Sequence, residues 1–427
     1  MGLKIAVVGG GSTYTPELVE GFITRQDRLP VEELVLLDVD AERLRIVGGL
    51  AGRILERRGW GGLLSTTLDR DAALDGADFI VVQLRVGGQA ARLLDETIPP
   101  RFGYVGQETT GAGGFAKALR TVPVVLELAD LARARSAPDA WIVNFTNPVG
   151  IVTQALLDRE HRAVGLCNVA IGFQRQFAEH FGVEPERVEL EHVGLNHLTW
   201  LRAIRVDGDD RLPALLDEHA DLLADMVSMP VGLIRALRAV PSYYLHYYYQ
   251  TREVLNDSHG PSRAEDVMKI EQELLRMYED PNLTEKPKLL ERRGGAYYSE
   301  AAAQLMASLH AGTGDVQVAN VRNDGALPEL PDTAVVEVPA RIDRTGAHPL
   351  RLAPLAPELR GLVQEAKAYE ELAIDAATSG DRTTALKALL ANPLVGQYAD
   401  AERLLDALLT ANHAHLPRFF PVEAPAS

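Results

Sequence analysis

The glycines near the start of the chain are the first residues whose spacing suggests chemistry. The apolar run Lys4-Ile5-Ala6-Val7-Val8 ends in Gly9, Gly10 and Gly11, and Ser12, Thr13 and then Thr15-Pro16-Glu17 follow. A glycine cluster between a strand and a helix permits a tight turn and lets a pyrophosphate approach the backbone at the helix N-terminus. The next apolar run ends in Asp38. A carboxylate there suits the adenosine ribose hydroxyls and favours NAD over its 2′-phosphorylated form. Gly9, Gly10, Gly11, Ser12, Thr13 and Asp38 are therefore the candidate cofactor residues. Tyr14 stands where the dinucleotide fingerprint has its third glycine, which predicts a first helix set farther from its strand. Cys167, the one cysteine, is by itself either a small buried hydrophobe or a functional ligand.

These residues need a scaffold, and the first third of the chain alternates apolar runs with amphipathic segments in the βαβ pattern of a parallel sheet. Strands are predicted near Lys4–Gly9, Leu34–Asp38, Asp78–Gln83, Trp141–Asn144 and Ala163–Leu166. The first helix is expected to start with the Thr15 hydroxyl as cap and Pro16 in its first turn. The second, over Ala41–Arg58, carries Leu44, Val47, Leu50 and Ile54 at helical spacing. Beyond about residue 185 the alternation fades. Antiparallel strands are predicted at Val188–Val193 and Leu201–Val206, and helices around Leu212–Val227, Ala264–Glu279 and Tyr297–His310. Strands near Val316–Asn320 and Val335–Val338 come next, then helices from Glu358 to Ala414. The expected class is α/β, with a Rossmann-like NAD-binding domain over residues 1–166 and an α+β domain over 167–427. The Pro/Ala-rich tail Pro421–Ser427 is expected to fray.

At 427 residues with 46% hydrophobic and 24% charged side chains, the composition is that of a globular chain with core enough for two domains. The formal charge of −17 comes with no basic tract, which excludes nucleic acid as a partner. Apolar stretches are broken by charges before the ~18 residues a membrane span needs, so no membrane partner is expected. A single cysteine rules out an internal disulfide and fits a reducing cytoplasm, as does an N-terminus without a signal-peptide pattern. An acidic chain that binds an anionic metabolite must do so with local arginines.

Further stretches carry a family likeness. They are RVGGQAARLLDETIPPRFGYVGQET at Arg85–Thr109, NFTNPVGIVTQAL at Asn144–Leu156, GLCNV at Gly165–Val169, GLNHLTW at Gly194–Trp200 and YYLHYYYQ near residue 245. With GGGSTYTPE at the start, the chain resembles glycoside hydrolase family 4 from end to end. That family is similar in fold to lactate and malate dehydrogenases, yet it hydrolyses glycosides with NAD and a divalent metal, usually Mn2+, outside the two-carboxylate scheme.

The resemblance implies roles for particular residues. Cys167 and His197 would be metal ligands, with substrate hydroxyls completing the shell. Thiolate is an unusual donor for a hard ion. A tyrosine would remove the sugar C2 proton after transient oxidation at C3; Tyr244 is placed there, with Tyr243 and Tyr247 as register competitors. Asn168 occupies the position where α-specific members carry an acid, and so matches 6-phospho-β-glucosidases. Arg85, Arg92 and Arg263 are implied for a substrate phosphate, with Glu108 and Asn147 beside the sugar. SRAEDVMKIEQELL, ERRGGAYYSEAA and NVRNDGALPELP extend the likeness to the β-specific members. The implied partner is a phosphorylated β-glucoside, and the implied assembly a homodimer or homotetramer, with the helix at Tyr297–His310 as a possible seam. Two alternatives stay open from sequence: a family 4 glycosidase for an unphosphorylated sugar, and an NAD-dependent 2-hydroxy-acid dehydrogenase. The latter would pair its histidine with an Asp or Glu.

Overall fold

The computed structural model describes residues 2–257, 260, 262–295 and 297–421. Six strands run parallel: β1 (Leu3–Val8), β2 (Val31–Leu37), β3 (Leu63–Thr67), β4 (Phe79–Val82), β5 (Trp141–Asn144) and β6 (Ala163–Gly165). Their spatial order is β3-β2-β1-β4-β5-β6, the doubly wound arrangement whose switch point lies between β1 and β4. LKIAVV of β1 and FIVV of β4 are buried almost throughout, as strands covered by helices on both faces must be. Strand β3 escaped the sequence reading because its LLSTT is a short, half-polar edge with Leu63 61% exposed.

Further along the chain come β7 (Val188–Leu195), β8 (Leu198–Val206), β9 (Asp209–Asp210), β10 (Val240–Pro241), β11 (Val316–Arg322), β12 (Val335–Asp343) and β13 (Gly346–Pro349). Strands β7 to β10 form a small separate sheet around the β7–β8 hairpin. Strands β11, β12 and β13 instead add antiparallel to the open edge of β6, through the pairing of Asn320 with Gly165. The main sheet thus has nine strands and draws on residues from both sides of position 166.

The helices close this framework. Ala41–Arg57 starts on Asp40, whose carboxylate accepts the Glu42 and Arg43 N–H groups at 3.0 Å each. Arg263–Tyr278, held by a capping box at Ser262 and Glu265, buries Ile270, Leu274 and Tyr278 against Val47, Leu50 and Ile54. A helix from the second half therefore seals the nucleotide-binding half. Tyr298–Ala311 is buried along almost its whole length inside this chain, which leaves little of it for the subunit seam that the sequence suggested. Among the described residues no helix is long and apolar enough to cross a membrane. Most of the tail expected to fray, 422–427, lies outside the described residues.

Candidate active site

The glycine turn sits at the C-terminal end of β1 and is held by backbone hydrogen bonds. Gly9 and Gly10 both donate N–H to Leu37 O, at 2.9 and 2.8 Å. Gly9 has φ +90°, and a Cβ on Gly10 would lie 2.7 Å from Leu36 Cβ and 2.9 Å from its Cα. Glycine is required at both. Gly11 donates N–H to Asp38 Oδ2 at 2.8 Å, while Arg43 Nε donates to Gly11 O at 3.0 Å. The Asp38 carboxylate thus fixes the turn. Thr15 is already inside the helix and does not cap it. Its hydroxyl donates to Gly10 O at 2.9 Å and accepts from Gln83 Nε2, also at 2.9 Å. Tyr14 turns toward the far half: its hydroxyl donates to Gly295 O at 2.6 Å and accepts Ser299 N–H at 3.2 Å. Thr13 O accepts from Tyr278 Oη at 2.8 Å, and Arg293 Nη2 reaches Ser12 Oγ at 3.4 Å.

Cys167 follows β6 at the same sheet edge and is 5% exposed. His197 sits in the β7–β8 turn with φ +62°, a left-handed conformation uncommon for a side-chain-bearing residue. Its Nδ1 lies 2.8 Å from Thr109 Oγ1, which leaves Nε2 as the candidate donor. The Tyr244 ring stacks on the imidazole at 3.6 Å between centroids and 11° between planes. Tyr243 lies beside Tyr244 at 4.3 Å, ring to ring, whereas Tyr247 is 6.5 Å away. The side chains of Asn196 and Tyr298 lie close enough to the Cys167 thiol to favour its charged form. Tyr298 also stands 6.2 Å, ring to ring, from Tyr14, so the thiol side and the glycine turn adjoin. Asn168 takes the N-cap position of helix Val169–Phe181.

Electrostatics prepare two of these groups differently. Burial lowers His197 to about 4, so the imidazole is neutral and free to ligate at neutral pH. Burial, with Glu337 adding to it, pushes the Cys167 thiol up; a bound cation would have to displace that proton. Burial likewise pushes Tyr244 well above the ordinary phenol range. Among the described residues no three His, Cys, Asp or Glu side chains converge on a metal position. A neutral imidazole and a thiol are donors that suit a cation whose remaining ligands come from outside the protein.

Beside this lies a buried charge cluster. Glu108, 8% exposed, pairs with Arg85, with Lys117 Nζ at 2.7 Å and with Arg92 Nη2 at 3.4 Å. Burial alone would raise its carboxyl, but Arg85, Lys117 and Arg92 outweigh that and hold it well below the usual range. Burial and then Arg85 depress Lys117 to about 7. Arg92 Nε donates to Glu96 at 2.7 Å, and Glu96 accepts Ala264 N–H at 2.7 Å. Arg85, Arg92 and Glu108 are therefore brought together, with Arg263 one residue from the cluster. The Arg263 guanidinium is itself turned outward, donating to the carbonyls of Arg292 and Arg293 at 2.8 and 3.1 Å. Among the described residues Asn147 Oδ1 is buried and has no hydrogen-bond partner.

Sequence reasoning missed Thr109, Lys117, Asn196, Arg293, Tyr298 and Glu337. Thr109 and Asn196 adjoin residues that were singled out. Glu337 left one trace, an acid inside the otherwise apolar VVEVP of β12.

A doubly wound parallel sheet, a glycine turn at its switch point and an acidic tip on β2 define a dinucleotide-binding α/β protein. Residues 4–183 match the family description "Family 4 glycosyl hydrolase", and residues 192–395 match "Family 4 glycosyl hydrolase C-terminal domain". The chain belongs to family 4 of the glycosyl hydrolases. It is 38% identical to the 6-phospho-β-glucosidase of Escherichia coli, over 98% of this chain and 97% of that one. It is similar in structure to the 6-phospho-β-glucosidase of Thermotoga maritima with manganese, NAD+ and glucose-6-phosphate, at TM-score 0.91 and 36% identity, covering 97% and 99% of the two chains. A malate dehydrogenase of Plasmodium falciparum shares the fold alone, at TM-score 0.54 and 14% identity, covering 88% of this chain and 98% of that one.

Proposed function

We propose that this chain hydrolyses 6-phospho-β-glucosides, with NAD as a recycled cofactor and a divalent cation, Mn2+ in the first instance, as Lewis acid. What supports this reading is the stacking of Tyr244 on His197, with the Cys167 thiol in electrostatic reach of Tyr244, in a family 4 chain that carries a glycine turn. When bound, NAD supplies a transient hydride acceptor for the sugar C3, and the cation polarises the C2 and C3 oxygens.

The chain's own residues do the rest. Gly9 to Thr13 and Asp38 hold the dinucleotide at the sheet edge. Cys167 and His197 would hold the cation, with Thr109 on Nδ1 fixing the imidazole and leaving Nε2 as its donor. Tyr244, stacked on that imidazole, takes the C2 proton that oxidation at C3 acidifies. Its elevated pKa means that it needs the cation's charge to serve as a base at neutral pH. The C1 substituent would then leave by elimination, its oxygen taking a proton from solvent, and water would add across C1 and C2 with Tyr244 returning a proton to C2. Asn168 cannot donate a proton, which fits a leaving group that departs without an acid at that position. Arg85 and Arg92 hold the phosphate, with Glu108 and Asn147 at the sugar, and Arg263 joins them only by turning away from the Arg292 and Arg293 carbonyls. Arg85 and Arg92 are restrained by Glu108 and Glu96, which orients their guanidinium forks before substrate arrives.

The dehydrogenase alternative is disfavoured by one contact. His197 pairs with a threonine hydroxyl and not with a carboxylate. The nearby His192–Glu337 pair has side chains 0% and 1% exposed, too buried to meet a substrate. A cytoplasmic homo-oligomer is the proposed setting, to be checked by mass measurement in solution. The deciding assay is release of a chromogenic aglycone from a 6-phospho-β-glucoside in deuterated water, with and without NAD+ and Mn2+. Hydrolysis that needs both and carries deuterium into C2 is expected. Equal rates without them would overturn the reading, and a matching rate on the unphosphorylated glucoside would remove the phosphate from it.

A further inference from the structure

Glu337 is an acid in the middle of β12, 1% exposed, and no step above uses it. Three side chains from three different segments satisfy its two oxygens. Oε1 is 3.0 Å from His192 Nε2 on β7. Oε2 accepts Asn196 Nδ2 at 2.7 Å from the β7–β8 turn and Asn320 Nδ2 at 2.8 Å from β11. Two of those partners lead straight to the candidate cation donors. Asn196 directly precedes His197, and its side chain lies close enough to the Cys167 thiol to act on its charge. Asn320 lies opposite Glu337 across the β11–β12 ladder and pairs on its other side with Gly165, two residues before Cys167. A Cβ on Gly165 would fall 2.9 Å from Asn320 Cβ, so the fit leaves no slack there.

Charge gives this arrangement a second use. A divalent cation held by one thiolate and one neutral imidazole retains a positive charge that the protein's own donors do not cancel. In a dry interior such a charge is costly unless an anion stands close by. The three donors around Glu337 outweigh the effect of burial and hold it in its charged form. It lies one side chain away from both donors, across Asn196, and no described cluster offers a third carboxylate ligand.

We propose that Glu337 is a positioning residue for the cation. It fixes Asn196 and Asn320, which set the places of His197 and Cys167, and its fixed negative charge balances the metal without ligating it. This rests on the cation-binding reading above. Partners of this kind orient metal ligands elsewhere, and their loss weakens binding by roughly ten- to a hundredfold.

The test is Mn2+ titration of the NAD-loaded protein, with glucose-6-phosphate present, followed by the electron paramagnetic resonance signal of free Mn2+. Glu337→Gln keeps the shape and removes the charge. It is expected to raise the Mn2+ dissociation constant roughly ten- to a hundredfold while NAD affinity, read by fluorescence, stays at the wild-type value. The double variant Asn320→Asp/Glu337→Gln returns one carboxylate to the same cross-strand pair and is expected to recover most of the loss. Wild-type Mn2+ affinity in Glu337→Gln, or no recovery in the double variant, overturns the proposal and leaves Glu337 a folding group. If the single variant does not fold, the double variant alone decides: a tenfold weaker site sinks the proposal, and near-native affinity supports it. A wild-type protein that binds no Mn2+ would instead remove the cation reading itself.

Discussion

Along β1 and β2 the protein builds its nucleotide edge from neighbouring stretches of chain. Gly9 and Gly10 bond through backbone N–H groups to Leu37 O and Gly11 to the Asp38 carboxylate, so the edge needs small residues at the turn and a few polar side chains close by in sequence or on adjacent strands. At the candidate cation site, Cys167, His197, Tyr244 and Glu337 come from a strand end, a hairpin turn, a short helical segment and an added strand of the main sheet. There the side chains are everything and their backbones share no local motif. The first region is secured by sterics and main-chain hydrogen bonds, which any βαβ unit with the right glycines reproduces. The second depends on long-range contacts holding four segments in register, and on burial that shifts His197 down and the Cys167 thiol up. One fold can thus keep a common dinucleotide edge and vary the chemistry opposite it.

If the two regions are separable, lesions in one should spare the other. Cys167→Ala is the most severe expected lesion. Loss of the thiolate should cut Mn2+-dependent hydrolysis at least about a thousandfold, equivalent to about 4 kcal/mol, while NAD binding by fluorescence quenching is unchanged. Comparable loss of NAD binding would show that the regions are one unit.

A sharper cut comes within the tyrosine cluster. Tyr244→Phe should slow turnover about a hundredfold or more and suppress C2 deuterium incorporation to the same degree. Tyr243→Phe, which alters a ring 43% exposed, should retain most of both. The reverse ranking would move the proton acceptor by one residue.

The smallest expected effect lies on the nucleotide side. Gly10→Ala drives a Cβ into Leu36 and should weaken NAD binding about tenfold, or roughly 1.4 kcal/mol. Mn2+ affinity should stay at the wild-type value. A Gly10→Ala protein that bound NAD normally would mean that the dinucleotide lies elsewhere.

Much of this was legible beforehand for specific reasons. The alternation of apolar runs announced β1, β2, β4, β5 and β6, since strands covered on both faces must be apolar throughout. The glycine turn and Asp38 announced the cofactor edge, because their use depends on neighbours in sequence. Thr15 was read as a cap because a threonine before a proline often is one; the fold gave its hydroxyl to Gly10 O instead. The outward turn of Arg263 toward the carbonyls of Arg292 and Arg293 left no sequence trace.

The sequence by itself determined the parallel sheet, the glycine turn and the residue types that could bind a cation or a phosphate, since each follows from local periodicity or from a motif's own chemistry. Only the tertiary structure decided that Thr109 holds the His197 ring, that Tyr244 stacks on it, that Lys117 and two arginines surround Glu108, and that Glu337 stands behind both candidate donors. Those facts turn on which distant segments share a buried volume and on the desolvation that sharing imposes. Neither quantity is written in the spacing of residues along the chain.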